Sequence, residues 1–150
     1  MNFKSTRGTG TAVSAAQAIK QGLAEDGGLF VPESLPVLTD ADFTELSLQT
    51  YAERAAKILG MFLSDYTEEE LLRDCEEAYG EESFPGGAAP LVPLHEGIEM
   101  LELWHGPTAA FKDMALQIMP RLLSRNYPES LVRKIFFDNA KSFLRRNLPL

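Results

Sequence analysis

A run of glycine and proline near the middle of the chain divides it into two parts with different patterns. Gly80 and the Phe-Pro-Gly-Gly sequence at residues 84–87 interrupt a helical stretch, because glycine and proline favour turns over helix. Before this linker the apolar residues recur with a helical period. After it, residues 91–94 and 98–104 form short apolar runs typical of strands. The sequence therefore predicts a helix-rich first part joined to a strand-containing second part.

The first 32 residues predict short elements separated by turns. Residues 2–7 predict an edge strand, Ser14 caps a helix over residues 15–21, and a turn at residues 26–28 precedes an apolar run at residues 29–31. A helix of seven residues is too short to be stable alone. We therefore expect these elements to pack on the helices that follow.

Two longer helices are predicted before the linker. Thr39 is placed to cap a continuous helix that extends to residue 63, with apolar residues on one face. Thr67 and Glu70 form a capping box, in which each side chain bonds the backbone amide of the other residue, so that a second helix runs from there to about Tyr79.

Composition excludes several classes of protein. A chain of 150 residues that is 45% hydrophobic and 24% charged suits one ordinary globular domain, and it lacks the 18 consecutive apolar residues of a membrane span. Cys75 has no disulfide partner, and two histidines, His95 and His105, do not make a zinc cage, so no metal site is predicted. The net charge of −8 disfavours nucleic acid as a partner. Without a legible secretory signal, we expect a cytoplasmic protein with no membrane partner.

The charge changes sign near Pro120. Up to that residue the chain has seven basic and 20 acidic residues, and after it seven basic and two acidic ones. This asymmetry predicts an acidic body followed by a basic tail.

Residues 105–114, His-Gly-Pro-Thr-Ala-Ala-Phe-Lys-Asp-Met, predict a strand end, a tight turn and then a helix capped by Thr108. Pro120 should kink or end this helix. Apolar residues at helical spacing predict that one face of it is buried: Phe111, Met114, Ala115, Ile118, Met119 and Leu122.

Lys112 lies in the first turn of this predicted helix. Unpaired backbone amides at a helix start carry partial positive charge, which disfavours an ammonium group and favours the neutral amine. A neutral amine is the form that condenses with an aldehyde, so the placement suggests a Schiff-base lysine. The alternative is a solvated lysine that pairs with Asp113 or Glu102.

Three separated segments resemble the signatures of the threonine synthase family: residues 4–8, residues 22–32 and, most extensively, residues 102–117. The resemblance covers about residues 1–123. It implies an α/β fold, helix-rich α+β in this part, of the fold-type II class of pyridoxal phosphate enzymes. The implied divisions are an N-terminal domain at 1–87, the first strand-turn-helix of the cofactor domain at 88–124, and an amphipathic tail at 125–150.

The resemblance also implies an activity. Its members convert O-phospho-L-homoserine and water into L-threonine and phosphate, and the lysine matching Lys112 holds pyridoxal 5′-phosphate and moves protons once substrate has displaced it. By the same resemblance, the substrate-binding candidates are Ser5, Thr6, Arg7, His105 and Thr108. Arg7 has the alternative of a structural salt bridge, Thr108 of helix capping, and His105 of orienting a neighbour or filling the core.

The sequence departs from the family pattern after Lys112. The family supplies a Gly/Ser/Thr-rich loop for the cofactor phosphate, and no such loop follows here. Residues 127–144 instead resemble the closing helix of metal-dependent amidohydrolases, within an amphipathic helix predicted over residues 128–146 with Leu131, Ile135, Phe136, Ala140, Phe143 and Leu144 on one stripe. We therefore expect a truncated, chimeric or artificial chain whose active site is incomplete.

Two further functions compete with the enzyme hypothesis. The chain is a non-catalytic helical scaffold or interaction module if its capped helices and basic tail simply pack together. Amidohydrolase-like hydrolysis requires more metal ligands than two histidines provide. The strand at residues 98–104 lacks the parallel neighbours that the family supplies, so we expect either the tail or a second copy of the chain to cover its edge.

Overall fold

A computed structural model describes residues 1–139, 141, 142 and 145. The elements, in chain order, are β1 (Asn2–Ser5), β2 (Val13–Ser14), α1 (Ala15–Gln21), β3 (Phe30–Pro32), α2 (Asp40–Leu48), α3 (Tyr51–Phe62), α4 (Glu68–Tyr79), β4 (Leu91–His95), β5 (Ile98–Leu101), α5 (Asp113–Leu116), α6 (Met119–Ser124), α7 (Glu129–Arg133) and a π-helical turn (Lys134–Asp138). No helix among these described residues is long and apolar enough to cross a membrane.

The N-terminal strands form an antiparallel sheet in the order β2-β1-β3. Phe3 pairs with Val13 on one side and with Pro32 on the other, so β1 is the central strand. The prediction that residues 2–7 form an edge strand was wrong. Two segments that follow β1 in the chain, β2 and β3, pair with it on opposite sides. The cap of the following helix is confirmed, since the Ser14 hydroxyl accepts a hydrogen bond from the Gln17 amide at 3.3 Å.

The single helix predicted from Thr39 is two helices, α2 and α3. Thr39 caps α2, as predicted, in a capping box with Asp42. The chain then breaks at Thr50, which forms a second capping box: the Glu53 carboxylate accepts from the Thr50 amide at 2.7 Å, and the Thr50 hydroxyl accepts from the Glu53 amide. The competing cap at Thr50 explains why the continuous helix was a wrong prediction.

The predicted α4 is confirmed, with its capping box between Thr67 and Glu70 and its end at Tyr79. This helix packs along α3 and supplies the centre of the core, where Leu71, Cys75 and Ala78 are completely buried. The same core contains residues from α1, from α3 and the turn after it, and from the segment around α6: Ala15, Ala56, Leu63, Tyr66, Ile118 and Leu122. The predicted domain limits at residues 87 and 124 stay predictions, but the core itself includes residues on both sides of the first limit.

The predicted linker is partly packed into the core. Phe84 has no exposed surface, and its ring lies 5.9 Å from the ring of Tyr79. The chain therefore turns here in a fixed position.

After the linker, β4 and β5 form an antiparallel hairpin in which Leu91 is opposite Leu101 and Val92 is opposite Met100. All nine residues of the two strands are exposed. The second strand ends at Leu101, earlier than predicted, and Trp104 lies outside it. Within the described chain, the tail does not bury this hairpin.

The long helix predicted after Lys112 is two short helices, α5 and α6. Pro120 is in the first turn of α6, which confirms that proline interrupts the helix. Only part of the predicted stripe is buried: Ile118 and Leu122 lie in the core, whereas Phe111, Ala115 and Met119 are exposed. The predicted buried face was wrong at those positions because the break changes the direction of the chain.

The tail begins with α7 and the π-helical turn. Leu131, on the predicted apolar stripe, is 37% exposed. Ala140, Phe143, Leu144 and Arg146 lie outside the described residues. The resemblance of residues 127–144 to amidohydrolases stays a prediction.

Candidate functional site

The first group of site residues surrounds the carboxylate of Asp26. One carboxylate oxygen accepts from the Ser5 hydroxyl at 2.7 Å and from the Gly28 amide at 2.9 Å. The other accepts from the amide of Thr9 at 3.4 Å and from its hydroxyl. These hydrogen bonds, that from Ser5 first, hold the pKa of Asp26 far below its usual range. The group therefore stays anionic and ties the turn after β1 to the turn before β3.

The three predicted residues after Lys4 contribute to this cluster in different ways. Ser5 is buried, and its hydroxyl also accepts from the Arg7 amide at 3.1 Å. The Thr6 hydroxyl accepts from the Leu29 amide at 3.0 Å. The Arg7 guanidinium donates to the backbone carbonyl of Asp26 at 2.9 Å, so the alternative of a structural salt bridge is wrong in the described chain. Thr6 and Arg7 are exposed, whereas Ser5 is buried.

Gly28 is part of the same construction. A Cβ atom at this position would collide with the Ser5 hydroxyl, so only glycine allows β1 and the turn to approach this closely. The predicted tight turn thus has a specific role, which is to bring Asp26 against Ser5.

The second group lies between β5 and α5, in the segment that contains Lys112. The His105 Nε2 atom lies 2.7 Å from a carboxylate oxygen of Glu102, and the His105 ring stacks on Trp104 with centroids 5.9 Å apart. His105 is half-buried, so it is not a core residue, and Glu102 orients its ring.

Thr108 does not cap the following helix as predicted. Its hydroxyl donates to the Asp113 carboxylate at 2.9 Å, and its backbone amide donates to the same carboxylate at 2.8 Å. Asp113, which is 1% exposed, is therefore the acceptor that holds the loop. The prediction failed because a threonine hydroxyl can donate as well as accept, and a buried carboxylate offers the stronger partner.

Two backbone features let this loop close around Asp113. A Cβ atom on Gly106 would collide with the Asp113 side chain, which explains glycine there. Ala109 has a φ of 54°, in the left-handed region that favours glycine. The loop is held in this strained shape by the bonds between Thr108 and Asp113.

Lys112 is exposed and immediately precedes α5. Within the described chain, no ion pair or hydrogen bond reaches its ammonium group, because Glu102 bonds His105 and Asp113 bonds Thr108. The predicted pairing of Lys112 with either acid is therefore wrong. Because α5 has only four residues, the helix-start charge expected next to Lys112 is weak.

Tyr79 fixes the chain on the other side of Lys112. Its hydroxyl donates to the backbone carbonyl of Met114 at 2.9 Å, and burial raises the pKa of this phenol. Lys112 thus lies inside the loop that the contact between Thr108 and Asp113 closes, and Tyr79 holds the chain two residues after it. Sequence reasoning missed Tyr79, Asp113 and Asp26 as positioning residues. The two acids lie inside the family-like segments, but no local pattern marks them as hydrogen-bond acceptors.

The two groups remain separate in the described chain. A cavity of about 150 Å³ lies beside the Asp26 cluster, lined by Ser5, Thr9 and Glu25 among others. A larger groove of about 560 Å³ runs between α2, α3 and α4. Lys112 lines neither of them. Among the described residues, no hydrogen bond or ion pair joins the first group to the second.

Comparison with solved structures identifies the class of this fold. The chain is similar to the crystal structure of pyridoxal phosphate-bound threonine synthase from Brucella melitensis, with a TM-score of 0.78 and 36% identity over 83% of this chain and 27% of that one. The fold is therefore the helix-rich α/β type predicted, as found in an enzyme that binds pyridoxal phosphate.

The family follows from the sequence. The family described as "Threonine synthase N terminus" matches residues 2–79, and the chain belongs to this family. The recognition made from the three motifs is confirmed. The threonine synthase of Pseudomonas aeruginosa is 39% identical over 82% of the chain, and that of Schizosaccharomyces pombe is 35% identical over 81%.

These relatives are much longer than the chain. It spans 26% of the Pseudomonas aeruginosa protein and 24% of the Schizosaccharomyces pombe protein, about a quarter in each case.

Proposed function

We propose that this chain is the N-terminal part of a threonine synthase and that Lys112 is the residue that binds pyridoxal phosphate through its amine. The substrate would be O-phospho-L-homoserine, converted with water to L-threonine and phosphate. The observation that carries the proposal is the position of Lys112: in a segment similar to the family signature, it lies in the loop that Thr108 and Asp113 close, and its amine has no hydrogen-bond or ionic partner among the described residues.

The residues around Lys112 fit the aldehyde of pyridoxal phosphate but not its phosphate group. Lys112 offers an amine for the aldehyde, but the residues after it are Asp-Met-Ala-Leu, which provide no cluster of hydroxyl and amide donors for a phosphate. A complete site therefore needs groups that these residues do not supply.

The other candidate site residues differ in which hydrogen-bond partners their polar groups already have. Arg7 keeps donors free beyond its bond to Asp26, which makes it the stronger candidate for a substrate phosphate. The Ser5 hydroxyl is already bonded to Asp26 and to the Arg7 amide, and the Thr6 hydroxyl to the Leu29 amide. His105 and Thr108 position the Lys112 loop, one through Glu102 and the other through Asp113.

Borohydride trapping tests the role of Lys112. The purified chain is mixed with pyridoxal phosphate, reduced, digested and analysed by mass spectrometry. We expect Lys112 to carry about ten-fold more label than Lys4, another exposed lysine, because the proposal places the bound aldehyde beside Lys112 and not beside Lys4. Lys112→Arg should remove this label, and Lys4→Arg should leave it. Equal labelling of both lysines would contradict the proposal.

An assay of phosphate release tests whether the 150 residues form a complete active site. We propose that the 150 residues alone do not turn over O-phospho-L-homoserine, because the described residues that follow Lys112 offer no cradle for the cofactor phosphate. Sustained formation of threonine and phosphate by the chain alone would contradict this part of the proposal.

A non-catalytic interaction module is the second candidate. The exposed position of Lys112 away from the two cavities described above and the exposed β4–β5 hairpin favour it. Absence of selective label at Lys112 would support this function over the first.

The remaining expectations concern the setting of the protein. We propose a cytoplasmic protein that acts on a small molecule, with neither nucleic acid nor membrane as a partner. Self-association through the exposed sheet edge is a separate hypothesis, and a monomeric mass by light scattering would contradict it.

A further inference from the structure

The groove between α2, α3 and α4 has an apolar floor and an acidic rim. Its floor includes Ala56, Tyr66 and Leu71, which are all buried. The charged residues of its lining are three glutamates and one lysine: Glu45, Glu53, Glu68 and Lys57. Lys57 is already paired with Glu45. The groove therefore offers apolar contact at its base and an excess of negative charge at its edges.

Gly60 keeps this groove open. It lies within α3, where glycine is one of the least favourable residues. A Cβ atom there would meet Leu71 at 3.6 Å, an ordinary contact distance, so the packing of α3 on α4 leaves room for a side chain. Since Gly60 and Leu71 both line the groove, a longer side chain at this position would fill part of it. The glycine therefore has a role in the shape of the groove that the fold itself does not require.

The tail carries the opposite charge and an exposed aromatic ring. Residues 129–146 contain two acidic residues, Glu129 and Asp138, and five basic ones: Arg133, Lys134, Lys141, Arg145 and Arg146. The Phe137 ring is 52% exposed. The guanidinium carbon of Arg133 lies 5.9 Å from the centroid of this ring, and the ammonium of Lys141 lies 5.3 Å from it. An aromatic ring between two cations is complementary to an apolar floor with an acidic rim.

The tail does not fill the groove of its own chain. Its base is fixed, because Asn126 donates to the Tyr66 hydroxyl at 2.6 Å and the Tyr127 hydroxyl donates to the Lys20 carbonyl at 3.3 Å. Beyond this base the Phe137 ring stays exposed, and the residues that line the groove all lie between Glu45 and Leu72. The tail of another copy can therefore enter the groove without a change in the fold of either chain.

We propose that the groove between α2, α3 and α4 binds the tail of a second copy of this chain, with Phe137 against the apolar floor and Arg133 and Lys141 toward the glutamates of the rim. A helix that lays an apolar face into a groove is a recurrent mode of recognition. The exchange is reciprocal, because each chain offers both a tail and a groove, and two identical contacts close a dimer. Lys112 does not line this groove, so the inference is independent of the proposed function.

The mass of the 150-residue chain in solution tests the proposal. Light scattering is measured over a concentration series that spans the micromolar range, and we expect the mass to rise from that of one chain toward that of two. The dissociation constant should increase about ten-fold when the salt is raised to about 0.5 M, because the contact depends on opposite charges. A mass that stays monomeric overturns the proposal, whether the tail then fills its own groove or binds vesicles of anionic lipid.

Variants disable the tail and the groove separately. Phe137→Ser removes an exposed ring from the tail, and it should weaken association by about ten-fold or more. Phe43→Ser, which removes an exposed ring of α2 outside the groove, is its matched control and should leave association unchanged. A dimer that Phe137→Ser leaves intact is held elsewhere, for example at the edges of the β4–β5 hairpin, and overturns the proposal.

The groove is disabled by Gly60→Leu, which fills it, and by Glu68→Lys, which reverses a charge at an exposed position of its rim. Each should weaken association by about ten-fold or more. Glu76→Lys makes the same change of charge at an exposed position of α4 outside the groove, and it should have little effect. Urea unfolding of each variant checks that its fold is intact. Equal effects of Glu68→Lys and Glu76→Lys overturn the proposal.

Mixing the variants tests whether the tail of one chain enters the groove of another. The Phe137→Ser chain keeps its groove, and the Glu68→Lys chain keeps its tail, so a mixture of the two can form one of the two contacts. We expect the mixture to associate more strongly than either variant alone and more weakly than the unmutated chain. A mixture that associates no more strongly than its components overturns the proposal.

Discussion

The guanidinium of Arg125 donates to both carboxylate oxygens of Asp74, each at 2.7 Å, and so joins the start of the basic tail to the middle of α4. Asp74 is 5% exposed, and Arg125 also lies 3.2 Å from the carboxylate of Glu70, the capping residue of that helix. The opposite charges of the two parts of the chain therefore meet at a defined, bidentate contact. This contact holds α6 against the helical core.

Arg125→Gln should destabilise the fold by about 3 kcal/mol, because it leaves the buried Asp74 carboxylate without its ionic partner. The free energy of unfolding is measured with urea. The matched control is Arg133→Gln, whose partner Asp138 is 3.5 Å away and well exposed, and it should cost less than about 0.5 kcal/mol. Equal effects of the two substitutions would contradict the role given to Asp74.

Thr108→Val should cost about 1–2 kcal/mol in the free energy of unfolding, because the buried Asp113 carboxylate loses one of its donors. Thr108→Ser keeps the hydroxyl and should retain most of the stability. The same urea measurement distinguishes them. If valine and serine behave alike, the hydroxyl of Thr108 does not hold the Lys112 loop.

The stability contributed by Asp26 should depend on pH in a defined direction. Its folded pKa lies below the unfolded value of about 3.9, so the contribution is complete above that value and is lost as the pH falls through the folded pKa. We therefore expect Asp26→Asn to be less stable than the unmutated protein at pH 6, with a difference that shrinks below about pH 4. Urea unfolding across this range measures it. Glu25→Gln is the control, and at pH 6 it should cost less stability than Asp26→Asn.

Cys75 should react slowly with thiol reagents in the folded protein. Burial raises the pKa of its thiol to about 11, and the side chain has no exposed surface. We expect its reaction with a disulfide reagent at pH 8 to be on the order of 100-fold slower than in denaturant, because the thiolate is the reactive form. Ser47→Cys, on the exposed side of α2, should react promptly under the same conditions. Prompt reaction of both thiols would show that the core around Cys75 opens readily.

The features that sequence predicted correctly depend on neighbouring residues. The cap at Thr39, the capping box at Thr67 and the interruption at Pro120 arise from groups within one helical turn, so their signals are complete in a short segment. The break between α2 and α3 at Thr50 was missed for a different reason. Its capping box with Glu53 is equally local, but the prediction extended the helix back to Thr39 although the apolar residues at helical spacing, from Tyr51 to Phe62, all follow Thr50.

The candidate site was predicted at its centre and missed around it. Lys112 and the motif that contains it are found from the sequence alone. The anchors at Tyr79 and Asp26 are not, because Tyr79 lies 35 residues from Met114 and Asp26 lies 21 residues from Ser5. Only folding brings such partners together. The central position of β1 was missed for the same reason.

The packing of Leu122 in a core that includes Ala15, together with the contact between Arg125 and Asp74, has a consequence for synthesis on the ribosome. Helices α1, α3 and α4 leave the exit tunnel well before α6 does, so the nascent chain carries an open apolar surface and an unpaired Asp74 until then. A nascent chain stalled before residue 122 should thus form an intermediate that chaperones bind. The nascent chain should dissociate from the chaperones when α6 emerges.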